Sequence, residues 1–167
     1  MFFIRTAGKQ DLEKISALLA ETWHDTYDRI YGPDKVADIT AAWHSVEALK
    51  TQLARPGSEF IVADDGERIG GVAFAAMADA KAKTVMLHQL YVRPGCQGQG
   101  TGAMLLAEIV EAFPDASTLR IEVEPANEKA VSFYEAKGFE KVGETSDCGV
   151  TGNKSGIPAA IYERPLP

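Results

Sequence analysis

Gln97-Gly98-Gln99-Gly100-Thr101-Gly102 joins an apolar, strand-like segment, residues 85–92, to a segment with helical patterning, residues 103–113. Glycine has no Cβ, so these three glycines leave the amides of the turn uncovered and open it to backbone angles closed to other residues. Amides exposed at a helix start, where the macrodipole is positive, are suited to gripping phosphate oxygens. The turn therefore implies a ligand that carries phosphate. Gly98-x-Gly100-x-x-Ala103 also satisfies the dinucleotide-binding fingerprint, and Glu122 stands about 20 residues on, where that fingerprint has an acid. Position in the chain argues against that reading. A dinucleotide fold places its glycine turn after the first strand and follows it with several strand-helix units, whereas here roughly half the chain precedes the turn.

Outward from the turn, Leu90-Tyr91-Val92-Arg93-Pro94-Gly95-Cys96 leads into it, and a second stretch reads Ile121-Glu122-Val123-Glu124-Pro125-Ala126-Asn127, followed by Ala130, Phe133-Tyr134 and Gly138-Phe139. In this order and spacing the chain resembles the GNAT superfamily of N-acetyltransferases. Gln97, Gly100 and Gly102 fill the three places of the family's acetyl-CoA-binding motif, Gln/Arg-x-x-Gly-x-Gly/Ala, and the second stretch resembles its next block, V-x-x-x-N…A…F-Y…G-F. Two coupled motifs are far more specific than either alone. The resemblance implies an α+β fold, a mixed, strongly twisted sheet of about seven strands with helices on both faces. It also implies acetyl-CoA as cosubstrate, with the backbone of Leu90, Tyr91 and Val92 on its pantetheine arm and acetyl carbonyl. Gln97, Gly98, Gln99, Gly100, Thr101 and Gly102 would then cradle the pyrophosphate. Asn127 is carried over as a contact to the cofactor arm, although a plain helix cap explains it equally well.

Composition agrees with one domain over residues 1–167, since 46% hydrophobic residues can build one core and the chain is short for two. The formal net charge of -7, without a basic cluster, argues against nucleic acid and favours cationic amines. The opening Met1-Phe2-Phe3-Ile4-Arg5 lacks a signal-peptide core, and the longest nearly apolar run, residues 69–78, is far short of a membrane span. A cytoplasmic protein without membrane association is expected. Cys96 and Cys148 lack CxxC or Cys/His ligand spacing, so neither a disulfide framework nor a zinc site is indicated.

Patterning predicts a strand at residues 2–6 and a helix starting at the capping candidate Asp11, with Ile15, Leu18 and Leu19 on one face. A second helical region carries Trp23, Tyr27, Ile30 and Tyr31 until Gly32-Pro33 breaks it, and a helix is expected around residues 46–53. Strands at residues 59–63, 69–78 and 85–92 form a meander, and residues 118–123 run parallel to the strand before the crossover. Asn127 caps a helix that stops at Lys137-Gly138, and residues 139–146 and 158–163 supply two last strands. The segment from Gly149 to Ser155 superficially resembles a phosphate loop, but its spacing is wrong and no amphipathic helix follows.

Acetyl transfer to an amine needs a held thioester, a deprotonated amine, donors for the developing oxyanion and a proton for the departing thiolate. Tyr134 is the candidate acid: a phenol with pKa near 10 can protonate a thiolate whose thiol has a pKa near 8.5. The resemblance implies this role for the tyrosine of F-Y, the alternative being a core tyrosine on one face with Val131. Glu122 alternates with Leu119, Ile121 and Val123, so it leaves the apolar face; the resemblance implies it as the candidate base, and the alternative is an ordinary solvent-facing strand acid. His88 competes for that role, its alternative being a buried histidine bonded to backbone. Trp23, Tyr27 and Tyr31 recur at helical spacing, and such a stripe is either core or, as the resemblance implies for early helices, a wall of the acceptor pocket. His24, Asp25 and Asp28 have no metal-ligand pattern, and no metal is expected. No cysteine sits in a nucleophile setting, which favours direct attack in a ternary complex over an acetyl-enzyme. The acceptor is left open between small-molecule and peptide amines, and a homodimer is left open as well. The contrasting reading is a noncatalytic CoA-binding sensor.

Overall fold

Alternating and helical apolar periodicities along this chain fold into seven strands and five helices among the described residues. The computed structural model describes residues 1–147 and 156–167. The chain runs β1 (Phe3–Thr6), α1 (Leu12–Tyr31), α2 (Pro33–Trp43), α3 (Val46–Leu53), β2 (Ser58–Asp64), β3 (Ile69–Asp79) and β4 (Thr84–Val92). It continues α4 (Thr101–Ala112), β5 (Thr118–Val123), α5 (Glu128–Ala136), β6 (Glu140–Thr145) and β7 (Ala159–Pro165). The strands make one mixed sheet in the order β1-β2-β3-β4-β5-β7-β6. The expected α+β architecture is what forms.

Two units divide the chain: Met1–Ala75 with Gln89–Ala112, and Ala76–His88 with Phe113–Pro167. In the first, β1 pairs antiparallel with β2, from Phe3↔Asp64 to Thr6↔Ile61. Arg5 fastens this edge, donating to Asp11 at 2.8 Å and to Asp64 at 2.9 Å. The Arg5 guanidinium holds the Asp11 carboxyl below its ordinary range, and the Gly66 amide, helped by Arg5, does the same for Asp64. Leu12, Ile15, Leu18 and Leu19 form the buried stripe of α1. Each such side chain contributes about 1.5–3 kcal/mol by burial.

Two expectations change here. Residues 12–31 form a single helix where two helical regions are expected, because no Gly or Pro interrupts the stripe before Gly32. Asp11 stands at the N-cap position without capping; its carboxylate accepts the Gly8 amide at 2.8 Å and is held by Arg5.

In the second unit the parallel ladder of β4 and β5 runs from Thr84↔Thr118 to Leu87↔Ile121. β7 lies antiparallel to both β5 and β6, with a register shift between Lys141 and Gly143. Asn127 caps α5 as expected, accepting the Ala130 amide at 3.3 Å, and Gly138, at φ +88°, follows the helix. The segment resembling a phosphate loop lies in or against residues 148–155, outside the described residues.

Candidate active site

Gly98 and Gly100 sit at φ +79° and +78°, in the left-handed region where a Cβ is strained, and α4 starts at the next residue, Thr101. The helix begins two residues earlier than patterning predicts, so Gly102 belongs to its first turn rather than to the loop. Loop and helix start are tied together by Met104 N–H donating to the Gly100 carbonyl at 3.0 Å. Behind them, Thr101 is buried, and a Cβ on Gly71 would meet Leu105 at 3.0 Å, the Tyr91 carbonyl at 3.2 Å and Thr101 at 3.4 Å. Gly71 thus lets α4 approach the strands closely, a role the sequence reading missed although the Gly70-Gly71 pair was visible inside an apolar strand.

Gln97, Gly98, Gln99 and Gly100 are exposed, while the Gln97 side chain donates to the Val92 carbonyl at 3.1 Å. Cys96 is fully buried, which shields its thiol from oxidants. Arg93 anchors the approach: its amide donates to the Gly70 carbonyl at 2.8 Å and its guanidinium pairs with Glu21.

Leu90, Tyr91 and Val92 are half-buried. The ladder to β5 ends at Leu87, while β4 continues to Val92. His88 is exposed, so the reading of a buried, backbone-satisfied histidine is replaced.

In the second unit Glu122 is half-buried between Ile121 and Val123, which are buried, as strand alternation requires. Tyr134 is half-buried on α5, its ring 5.3 Å from those of both Phe133 and Phe139. Glu124, which the sequence reading did not single out, is buried and accepts the Ala126 amide at 3.2 Å, shaping the turn that delivers Asn127.

Trp23 and Tyr27 are buried in an aromatic cluster of the first unit. Their rings lie 4.5 Å apart, with Trp43 5.6 Å and His44 5.8 Å from Trp23. His44 was also missed, since a lone histidine after a tryptophan carries no pattern. Burial pushes its pKa down to about 4, so the imidazole is neutral near pH 7. Among the described residues no group of three or more His, Cys, Asp or Glu is placed to hold a metal ion, and no helix is long and apolar enough to cross a membrane.

A family model described as an acetyltransferase (GNAT) domain matches residues 27–152. An uncharacterised N-acetyltransferase of Mycobacterium tuberculosis is 27% identical over 132 residues, covering 78% of this chain and 83% of its own. N-alpha-acetyltransferase RimI of the same species is 29% identical over 97 residues, covering 58% of this chain and 61% of its own. Among solved structures, PaiA N-acetyltransferase from Thermoplasma acidophilum in complex with coenzyme A superposes with TM-score 0.84 at 22% identity, covering 99% of each chain. This chain belongs to the GNAT family of acetyltransferases.

Proposed function

We propose that this protein is an acetyl-CoA-dependent N-acetyltransferase that moves an acetyl group to a primary amine by direct attack in a ternary complex, working as one domain. The observation that carries the reading is the loop in which Gly98 and Gly100 take left-handed angles in front of α4, a backbone suited to presenting amides to a pyrophosphate. A relative in complex with coenzyme A and another named for N-alpha-acetylation support the cosubstrate and the amine acceptor.

In this reading Gln97 to Gly102 hold the pyrophosphate, the backbone of Leu90, Tyr91 and Val92 holds the arm and the acetyl carbonyl, and Asn127 contacts the arm. The amine nitrogen attacks the carbonyl carbon and gives up a proton to Glu122 or His88, directly or through water. The C–S bond then breaks as Tyr134 protonates the departing thiolate. Acceptors are small-molecule or peptide amines, of which the net charge of -7 favours cationic ones.

Thermal unfolding tests the cofactor assignment. A ligand specific for the native state stabilises it by RT ln(1 + [L]/Kd), about 2.7 kcal/mol at a hundredfold excess over Kd. Acetyl-CoA should raise the midpoint by several degrees, and NAD much less. A larger rise with NAD would restore the dinucleotide reading.

A further inference from the structure

The aromatic cluster holds two polar atoms that the acetyl-transfer reading leaves unused. Trp23 Nε1 and His44 Nδ1 are closed off from solvent and have no hydrogen-bond partner. Each residue is only 5% exposed, and the two rings lie 5.8 Å apart. Buried polar atoms in native proteins are nearly always paired, so two orphans on neighbouring rings mark a position that a hydrogen-bonding group fills. The Tyr91 ring stands 6.4 Å from that of His44, and Tyr91 belongs to the strand end whose backbone is assigned to the acetyl carbonyl. The orphan pair is therefore one ring away from the reacting centre.

The chemistry of the two atoms selects the group. An indole N–H only donates, and a neutral imidazole in the Nδ1–H tautomer donates a second bond beside it. A cation would meet two donors. A carboxylate would be buried without a counter-charge. A carbonyl oxygen, with two lone pairs, accepts both bonds and leaves no donor of its own unpaired. Trp43, half-buried, stands edge-on to Trp23 at 5.6 Å, and the helices beside it, α2 and α3, bury few residues of their own, Val36, Thr40 and Leu49.

We propose that Trp23 Nε1 and His44 Nδ1 together bind the carbonyl oxygen of an amide set beside the acceptor's amine, making α-amino amides and peptide N-termini the preferred substrates over plain alkylamines and polyamines. The inference rests on the acetyltransferase reading and names the substrate class of that site.

The test compares alaninamide with sec-butylamine, of similar shape but without the carbonyl, each rated by kcat/KM on its free-base concentration. Two neutral hydrogen bonds predict a preference for the amide of about tenfold to a hundredfold. His44→Phe should lower kcat/KM for alaninamide about tenfold more than for sec-butylamine. His44→Asn, which returns an N–H near Nδ1, should recover part of that loss. A readout on the unaltered protein covers the case of a variant that does not fold. The chain has two tryptophans, so Trp43→Phe identifies the Trp23 indole N–H resonance, which should move with alaninamide in the presence of CoA and stay with sec-butylamine. Equal free-base kcat/KM for the two amines, or an indole resonance unmoved at saturating alaninamide because a water fills the pair, would overturn the proposal. If no amine released CoA at all, the acetyltransferase reading would fail instead, while the indole titration would still decide this one.

Discussion

Helices α4 and α5 both follow strands and both carry residues of the candidate site, yet they are anchored in opposite ways. α4 buries Thr101, Leu105, Leu106 and Ile109, whereas α5 buries none of its nine residues. A device made of backbone amides works only if the backbone is held still, and α4 supplies that through packing and through the left-handed glycines before it. On α5 the work falls to side chains, and Phe133 and Tyr134 stay accessible because the helix is only partly covered. In the proposed mechanism the phosphate grip belongs to scaffold geometry and the proton chemistry to individual groups.

The largest effect should come from the side-chain half. Tyr134→Phe keeps the ring beside Phe133 and Phe139 but removes the proposed proton donor, so kcat should fall by about 10² to 10⁴ while the acetyl-CoA Kd hardly changes. Steady-state kinetics paired with calorimetry would read both. Unaltered kcat in single-turnover measurements would remove Tyr134 from the chemistry and break the contrast.

Stability sharpens the same contrast. Leu105→Ala, inside the buried face of α4, should destabilise by about 2–5 kcal/mol. Val131→Ala on α5, half-buried, should destabilise by about 1 kcal/mol. Urea unfolding midpoints measure the difference, and equal losses would show α5 to be as firmly packed as α4.

The first unit also carries a pH signature. Burial pushes the pKa of His44 down to about 4 from an ordinary 6.5, so the unfolded chain takes up this proton first. Stability from the neutral imidazole is full above about pH 6.5 and is lost as the pH falls toward 4, a change of about 3 kcal/mol. Asp11 and Asp64, whose carboxyls lie below their ordinary range, act in a lower window: their contribution is present above about pH 3.8 and fades as acid protonates the folded state. His44→Phe should flatten the profile between pH 4 and 6.5 and leave the lower window in place.

A smaller effect than the loss of the Tyr134 hydroxyl belongs to the loop. Gly100→Val places a β-branched residue at φ +78°, a strain of about 1–3 kcal/mol, although a Cβ there meets nothing within 4 Å. The expected result is a folded protein with acetyl-CoA affinity lowered about tenfold or more by calorimetry. Parent-like affinity would remove the cradle from Gly100.

Legibility in the sequence followed the same division. The glycine turn, the strand of residues 118–123 and the Asn127 cap were readable because each depends on local rules of backbone conformation and periodicity. Tertiary facts were not: nothing local announces that β4 continues five residues past its last pair with β5, leaving Leu90 and Val92 half-buried. His88 and His44 illustrate the limit best. The strand histidine, for which burial was the stronger expectation, is exposed, while the unremarked one after Trp43 is buried, because burial is decided by neighbours from distant parts of the chain.

Release of free thiol from acetyl-CoA, followed with and without an amine such as alaninamide, tests the central claim most directly. The account predicts slow release alone and much faster release with the amine, with one acetylated amine formed for each CoA freed. Tight acetyl-CoA binding with no amine-dependent release across a panel of amines, peptides included, would contradict it and leave a sensor in place of an enzyme.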